Sequence, residues 1–495
     1  MSELATGVLA WASPALLLDW LPAALAAFGA ILTLVLDMGR RRWATSAMSA
    51  ALAAAAFMAY GRALVPESLG GGIGSFAGIV YAGGGFAGLA AIVYLVGALA
   101  TSGGLLSVPP AKRAGVAALI GFGAAGSQVL MGASDMVVLL VALEIIAAAG
   151  YALVASASSD RAQESAMRYF VQGGVATGLL VFALAVLSGA HGEGTSFAAI
   201  AEAMTGDTMR FAVLGVLLLV SGLAFKSGAF PFHSWVPDAY ETTPAGAAAF
   251  LASGPKAAAL GALVVVAATF GRGAQLQQLA SAYTVIVLGS LLIGTFGALG
   301  QRSLGRMLGY SAIAQVGYAF IALAGDPGAV PLFAATYAIA VAAAFISAEA
   351  IGQLDGDWDG SIAGLAGLSV RSPVLATTLA ISMLSLTGIP LTAGFVGKLF
   401  VFIGAVNAGR TWLVLAGAAA SVISFGYYGA VIRAAFFAEG SAAPAAGSPR
   451  HASEAARRSG RRLHLPAVVA ASTVIVLGTV PFVTGFAGVL RVFGL

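Results

Sequence analysis

Cysteine is absent from this 495-residue chain, and charged residues make up only 9% of it, against about 25% in ordinary soluble domains. Without cysteine the chain has no disulfide, no thiolate metal site and no cysteine-ligated iron–sulfur cluster. Hydrophobic residues make up 60% of the sequence, and they recur in runs of about twenty, the length that crosses a bilayer. These features predict a polytopic membrane protein.

Histidine is also rare, and no two histidines are placed at mid-membrane depth as a pair suited to binding haem. No glycine-rich nucleotide fingerprint follows a strand pattern, and no strand pattern is evident. We therefore expect this chain to bind no cofactor and no metal, and we expect no nucleic acid among its partners. The four histidines are His191, His233, His451 and His464.

Hydropathy predicts an all-α fold with about fourteen membrane-spanning helices. The N-terminal stretch MSELATGVLAWASPALLLDW has no basic cluster before its apolar run, which favours a retained first span over a cleaved signal peptide. The segments 239–270 and 373–405 are long enough to be tilted or interrupted. The predicted spans are residues 15–37, 45–64, 76–100, 112–131, 134–156, 167–190, 209–232, 239–270, 278–299, 304–324, 330–353, 373–405, 411–437 and 465–490.

Two short stretches echo each other, AGYALVA at 149–155 and VGYAFIA at 316–322. Lys226 and Lys398 also have corresponding places, each beside a proline within its span. Five predicted helices separate each pair, an odd number, so the second copy is expected to be inverted, as in transporters with interrupted helices. The predicted regions are 1–111 (helices 1–3), 112–270 (first repeat, helices 4–8), 271–437 (second, inverted repeat, helices 9–13), 438–464 (a flexible cytoplasmic loop) and 465–495 (helix 14).

Basic residues predict the orientation. If the N-terminus lies outside, the inward loops carry 16 arginines and lysines and the outward loops carry 5, which is a positive-inside bias. Only Lys226, Lys256 and Lys398 fall inside apolar segments. Arginine stays protonated at any accessible pH, whereas a desolvated lysine can release its proton near neutrality. Interior lysines therefore suit a group that gains and loses a proton within the membrane.

Four interior residues form the main hypothesis, a proton relay along a hydrated axis. Glu144 is the only acid in the middle of its span, and a lone carboxylate there needs a partner or a proton; we predict that it pairs with Lys226. Lys256 follows a Gly-Pro pair, and Lys398 follows Gly-Ile-Pro by about two turns. The bland alternatives are a snorkelling lysine, a protonated glutamate packed between helices, and lysines that bind lipid headgroups or loop carbonyls.

Two weaker candidates lie near the predicted inner surface. His233 follows Pro231 and either admits protons from the cytoplasm or caps a helix. Glu349 is either a second carboxylate of the relay or an interface residue.

The motifs then identify a resemblance. LAFKSGAFPFHSWVPDAYETTPAGAAAFLASGPKAAAL (223–260) resembles the signature of the antiporter-like proton-translocating subunits of respiratory complex I, and its ending SGPKAAA favours the subunit N branch. GRMLGYSAIAQVGYAFIALAG (305–325) and LSLTGIPLTAGFVGKLFVF (384–402) are similar to the later motifs of that family. The resemblance covers residues 112–435.

The resemblance implies fourteen helices with two inverted five-helix repeats, and a bacterial inner-membrane location. It implies that Glu144 and Lys226 form the first half-channel, Lys256 the central link and Lys398 the exit. NADH or another donor, flavin, iron–sulfur clusters and quinone are then expected in partner subunits, and the partners are other membrane-arm subunits, lipid, protons and internal water. One departure is Gln315, where the family usually has histidine. The alternatives are a subunit of a multi-subunit sodium/proton antiporter and a stand-alone solute transporter.

Overall fold

A computed structural model of the chain describes residues 14–39, 43–63, 74–76, 79–81, 83–103, 105–191, 194–204, 209–271, 275–356, 358–438 and 454–484. Within these ranges the fold is all-α apart from one antiparallel hairpin, β1 (Gly74–Phe76) paired with β2 (Ile79–Tyr81). The predicted fold class is therefore confirmed. The predicted span at 76–100 begins too early, since the hairpin precedes its helix.

The helices follow the predicted spans closely, because runs of about twenty apolar residues satisfy their backbone groups in lipid only as helices. In the described part of the chain, twelve helices are long and apolar enough to cross a membrane, and three shorter apolar helices accompany them. The helices are α1 (Pro14–Met38), α2 (Ala44–Ala63), α3 (Gly83–Ser102), α4 (Arg113–Met131), α5 (Met136–Val154), α6 (Asp160–His191), α7 (Phe197–Ala203), α8 (Met209–Ser227), α9 (Trp235–Thr242), α10 (Ala245–Phe270), α11 (Gln275–Leu299), α12 (Leu304–Gly325), α13 (Val330–Leu354), α14 (Leu368–Arg371), α15 (Pro373–Thr387), α16 (Ala393–Asn407), α17 (Thr411–Phe437) and α18 (Glu454–Thr484).

Two predicted spans are interrupted. The first stops at Ser227, where Gly228 adopts a φ of +78°, and the chain resumes as the short helix α9. The second stops at Thr387, where Gly388 adopts a φ of +92°, and resumes as α16. A left-handed residue after a helix suits glycine, which has no β-carbon to clash. Each interruption leaves backbone carbonyls inside the fold without a helical partner.

The centre of the bundle consists of α10, α12 and α13. More than nine-tenths of the most apolar stretch in each of these helices is buried, whereas α2 and α6 bury less than a third. The outer helices expose large apolar side chains such as Phe57 on α2 and Val175 on α6. Exposed apolar residues on spanning helices face lipid, so the central helices are the ones that are kept away from it.

A close contact joins α9, in the first predicted repeat, to α12, in the second. A β-carbon on Gly305 would lie 2.7 Å from the Tyr240 carbonyl oxygen, and one on Gly309 would lie 2.6 Å from Pro237 Cα. Glycines four residues apart therefore let two backbones touch, as in helix pairs within membranes. Beside this contact Arg306 Nη1 donates to Asp238 at 2.6 Å and to Glu241 at 3.1 Å, and Arg168 and Arg161 also pair with these carboxylates.

Candidate functional site: buried lysines at two helix breaks

Lys226 lies in the last turn of α8 and is fully buried. Its Nζ donates to the Tyr169 hydroxyl at 3.0 Å and lies 5.9 Å from the centre of the Tyr151 ring. The same Nζ lies 5.4 Å from the centre of the Tyr169 ring. The ring faces of tyrosines carry partial negative charge, so the two ring contacts favour an ammonium there. Burial this complete excludes the snorkelling alternative, in which the amine reaches the interface.

Glu144, the predicted partner of Lys226, is held by a different group. It lies on α5, and its Oε1 accepts a hydrogen bond from Thr177 Oγ1 of α6 at 2.5 Å. Since Lys226 donates to Tyr169 instead, no direct ion pair joins the two charged groups among the described residues, although Glu144 lies close enough to interact with Lys226 electrostatically. The tyrosines Tyr151 and Tyr169 are the aromatic contacts of Lys226, and Tyr151 also lies within the electrostatic reach of Glu144.

Each of these two tyrosines packs against a glycine on the helix that carries the other tyrosine. A β-carbon on Gly173 of α6 would lie 1.7 Å from the Tyr151 hydroxyl, and one on Gly150 of α5 would lie 3.1 Å from the Tyr169 hydroxyl. The Tyr169 ring also stacks on Trp235 of α9, with centroids 4.0 Å apart. The Tyr169 hydroxyl, which accepts the hydrogen bond from Lys226, is therefore fixed by packing on both sides of its ring.

Lys256 lies on α10, and its amine reaches the first helix break, at the end of α8. It follows Pro255 in α10, is fully buried, and its Nζ donates a short hydrogen bond to the Ser227 carbonyl at the end of α8. A β-carbon on Gly228 would lie 2.7 Å from this Nζ. The amine therefore fits against a glycine that also makes the left-handed turn.

Lys398 occupies the second break in the same way. Its Nζ donates to the carbonyls of Leu386 at 3.1 Å and Thr387 at 2.9 Å, and to Ser421 Oγ at 3.2 Å. It also lies 4.3 Å from the centre of the Tyr318 ring. Terminal carbonyls carry the negative end of a helix dipole, so each break stabilises a nearby ammonium. The spacing in the sequence indicates that Lys226 and Lys398 occupy corresponding positions. In its contacts, however, Lys256 is the residue that resembles Lys398, because both amines donate to a carbonyl at a helix break.

The two weaker candidates differ. Glu349 is buried near the end of α13 and is held on both oxygens: Oε1 accepts from the Ser107 backbone amide at 2.6 Å, and Oε2 accepts from the Ser107 hydroxyl and from the Gly246 amide at 3.0 Å. Both protein partners are loop or helix-start groups, not relay residues. His233 lies in the loop after the first break and stacks on Phe230, and its Nδ1 has no hydrogen-bond partner among the described residues.

A comparison with known protein families covers the segment that contains these residues. The sequence profile of the family "NADH:quinone oxidoreductase/Mrp antiporter, TM" matches residues 133–424, which include Glu144 and all three buried lysines. The chain belongs to this family. Among the described residues of this family member, no three His, Asp or Glu side chains come together as metal ligands.

Two curated relatives illustrate the similarity. The chain is 38% identical over 333 residues to "NADH-quinone oxidoreductase subunit N" of Sphingopyxis alaskensis, covering 66% of this chain and 69% of that protein. It is 37% identical over 322 residues to "NADH-quinone oxidoreductase subunit N 1" of Rhizobium meliloti, covering 63% and 66%. The resemblance predicted from the motifs is confirmed.

Solved structures share the architecture along nearly the whole chain. A chain of respiratory complex I from Thermus thermophilus, solved with aureothin bound, is 26% identical with a TM-score of 0.73 and covers 93% of this chain and 98% of its own. A chain of the Mrp complex from Dietzia sp. DQ12-45-1b is 20% identical with a TM-score of 0.80, covering 96% of each chain, and therefore shows the fold alone.

Sequence reasoning missed the polar groups that surround the lysines. Tyr169, Thr177 and Ser421 each bond directly to a relay candidate, yet hydroxyls occur throughout the spans and most of them bond back to their own helix. Gln315 of α12, which stands in place of the family histidine, donates to the Leu386 carbonyl at 2.7 Å and approaches the Tyr428 hydroxyl at 3.4 Å. Gln315 and Lys398 therefore share one acceptor.

Proposed function

We propose that this chain is a proton-translocating membrane-arm subunit of an NADH–quinone oxidoreductase. The observation that carries the proposal is the set of three buried lysines in a member of this family, two of them bonded to the carbonyls of interrupted helices. Buried ammonium groups in a membrane are costly, and interior ionisable residues of this kind mark ion pathways. The curated relatives named subunit N favour this assembly over the other branch of the family.

The relay starts at Lys226. Redox energy released in partner subunits changes the separation or hydration between Glu144 and Lys226, and the nearby carboxylate stabilises the protonated amine. When Glu144 moves away, Lys226 releases its proton towards Lys256. Tyr169 is positioned to accept and return a hydrogen bond during this step, because a phenol both donates and accepts.

Lys256 and Lys398 complete the path. Each is a neutral amine or an ammonium, and the carbonyls of the break favour the ammonium. The proton passes from Lys256 to Lys398 and leaves on the outer side, while Lys226 is reprotonated from the inner side. His233, beside the first break, is the proposed inner entry, and Glu349 is the proposed second carboxylate.

The orientation and the partners are parts of the same proposal. We place the N-terminus outside the bacterial inner membrane, because the positive-inside bias favours that orientation. NADH or another donor, flavin, iron–sulfur clusters and quinone belong to partner subunits, and this chain contributes no redox centre. The partners are the other membrane-arm subunits, which the chain contacts through surfaces that also border lipid.

Lys226→Ala tests the relay. We expect normal assembly and near-normal quinone reduction in uncoupled membranes, with proton export per electron lowered, because the first carrier is lost. Lys112→Ala is the matched control: Lys112 is the one lysine outside the apolar segments, it is exposed, and it bonds to a loop carbonyl at 3.2 Å. A normal proton-to-electron ratio in Lys226→Ala would refute the relay.

One observation supports a second candidate, a subunit of a multi-subunit sodium/proton antiporter. The family includes Mrp antiporters, and an Mrp chain shares the fold. Isolating the chain from its host's membranes with its partners separates the two: quinone-oxidoreductase subunits support the first function, and small antiporter subunits with sodium-driven proton flux support the second.

A further inference from the structure

The last described helix, α18, lies against both halves of the second interrupted span. It packs on α15 and α16, which flank the break, and on α13. Less than half of its most apolar stretch is buried, so its other side faces lipid. No residue of α18 belongs to the relay. The side of α18 that faces the protein carries small residues, namely Ala467, Ala470, Ala471, Val474 and Gly478.

Gly478 is the point at which α18 meets the break. A β-carbon on Gly478 would lie 2.5 Å from the Leu391 carbonyl oxygen and 2.5 Å from Thr392 Cα. Small residues let two backbones approach this closely within a membrane. The two segments therefore touch main chain to main chain, and a larger residue at 478 would have to push the loop of the break away.

Leu391 has an unusual backbone conformation at this contact. Its φ is +72°, in the left-handed region that residues other than glycine seldom adopt. Its side chain is 56% exposed, so side-chain burial does not hold it there. A strained conformation of this kind persists where the surroundings impose it. Here the surroundings are the turn bond from the Thr392 amide to the Ile389 carbonyl at 3.3 Å and the α18 backbone against the Leu391 carbonyl.

The loop that contains Leu391 sets the distance between Lys398 and its acceptors. Lys398 lies on α16, whereas the carbonyls of Leu386 and Thr387 that accept from its amine belong to α15. Residues 388–392 are the covalent link between these two helices. A different turn at Leu391 would shift α16 against α15 and carry the amine away from the carbonyls.

The first break is held from outside in a corresponding way. The Phe230 amide, just after that break, donates to Ser290 Oγ of α11 at 3.0 Å, and the Phe230 ring packs against Gly289. In the predicted order of spans, the interrupted helix and the helix that holds it are the seventh and ninth at the first break, and the twelfth and fourteenth at the second. The first repeat takes this support from the start of the second, whereas the second repeat needs one further helix to supply it.

We propose that α18 is a brace that positions Lys398: its backbone at Gly478 holds Leu391 in the left-handed conformation, and that turn keeps the Lys398 amine at the carbonyls of α15. The positioning role rests on the proposed function, whose exit lysine it serves, whereas the bracing of the turn does not depend on that function. Gly478 and Leu391 are positioning residues, and neither takes up a proton.

Gly478→Ala is the main test. Because the new methyl group must displace the loop, amide hydrogen exchange in residues 384–394 of the purified complex should become faster. Proton export per electron should lose at least about half of what Lys398→Met loses, since a misplacement of about 1 Å can cost ~10²-fold. Gly429→Ala is the matched control, because Gly429 also lies within a helix, α17, but a β-carbon there would meet the Phe425 ring at an ordinary 3.8 Å. Both measurements should stay at wild-type values in the control.

A second substitution at Leu391 distinguishes positioning from a general loss of structure. Glycine adopts a positive φ as readily as a negative one, so the turn would no longer need the brace. Adding Leu391→Gly to Gly478→Ala should therefore restore most of the lost pumping. Adding Leu391→Ala should not restore it, because alanine removes the same exposed side chain but keeps the β-carbon. Equal pumping in the two double variants would refute the link between the brace and the turn.

The outcomes separate the brace from the relay. Unchanged exchange in Gly478→Ala would overturn the brace. Faster exchange with normal pumping, beside a loss in Lys398→Met, would overturn the positioning role and leave the relay standing. Normal pumping in Lys398→Met would overturn the relay and the positioning role with it, while the exchange data would still decide whether α18 braces the turn.

If Gly478→Ala failed to assemble, the exposed Leu391 offers a second pair of variants. Leu391→Ile introduces a β-branched residue, for which a positive φ is a genuine outlier, so it should speed exchange in residues 384–394 and lower pumping. Leu391→Met, of similar size but unbranched, should change neither. Wild-type exchange and pumping in Leu391→Ile would refute the proposal.

Discussion

Gly228→Ala perturbs the first helix break at the point where Lys256 enters it. The φ of +78° costs a residue with a β-carbon about 1–2 kcal/mol. The new methyl would also lie 2.7 Å from Lys256 Nζ and 2.6 Å from a Val236 methyl. The amine must then leave the Ser227 carbonyl, and a hydrogen bond from a charged donor contributes roughly 1.5–3 kcal/mol. At about 1.4 kcal/mol for each factor of ten, this loss lowers the equilibrium population of the Lys256 ammonium at the Ser227 carbonyl by ~10- to 100-fold.

The control for this variant is Gly409→Ala. Gly409 has a φ of +73°, but a β-carbon there would meet no atom within 4 Å. Both variants therefore carry a similar backbone strain, and only Gly228→Ala displaces an ammonium. Proton uptake per quinone reduced, measured in membrane vesicles and normalised to assembled complex, should fall at least about 10-fold in Gly228→Ala alone. Equal uptake in the two variants would refute the assigned role of the Lys256 contact.

Three further changes probe other contacts. Thr177→Val removes the donor to Glu144 and should lower the proton-to-electron ratio with assembly intact; an unchanged ratio would show that this hydrogen bond is dispensable. Glu349→Ala leaves the amides of two segments unpaired, at about 1–3 kcal/mol each, so thermal inactivation of the complex should begin at a lower temperature, and an unshifted curve contradicts this. Gly305→Val should reduce assembly, whereas Gly300→Val, in open space, should not; equal assembly would deny that the close contact matters.

The membrane architecture could be predicted from the sequence because bilayer thickness fixes span length and lipid forbids unpaired backbone. The break beside Lys398 was also visible, since a Gly-Ile-Pro segment beside a lysine is unusual in an apolar run, whereas the Gly254-Pro255 pair before Lys256 lies within the continuous helix α10. The hairpin at 74–81 was not, because a three-residue strand leaves no periodicity to detect.

The partners of the charged residues could not be predicted. Glu144 bonds to Thr177, and Lys226 to Tyr169, because helices α5, α6 and α8 bring these side chains together at a rotation and depth that hydropathy does not specify. Glu349 was visible as an interior acid, but its role in holding the Ser107 and Gly246 amides depends on two distant segments meeting.

The glycine contact between α9 and α12 limits how this molecule can move. The backbones of α9 and α12 touch at Gly305 and Gly309, and Arg306 pairs with two carboxylates beside this contact. A rocking motion that separated α9 from α12 would have to break both the backbone contact and these ion pairs. Any working cycle must then be accommodated inside a rigid frame, by rotation of long side chains and by wetting and drying of narrow gaps.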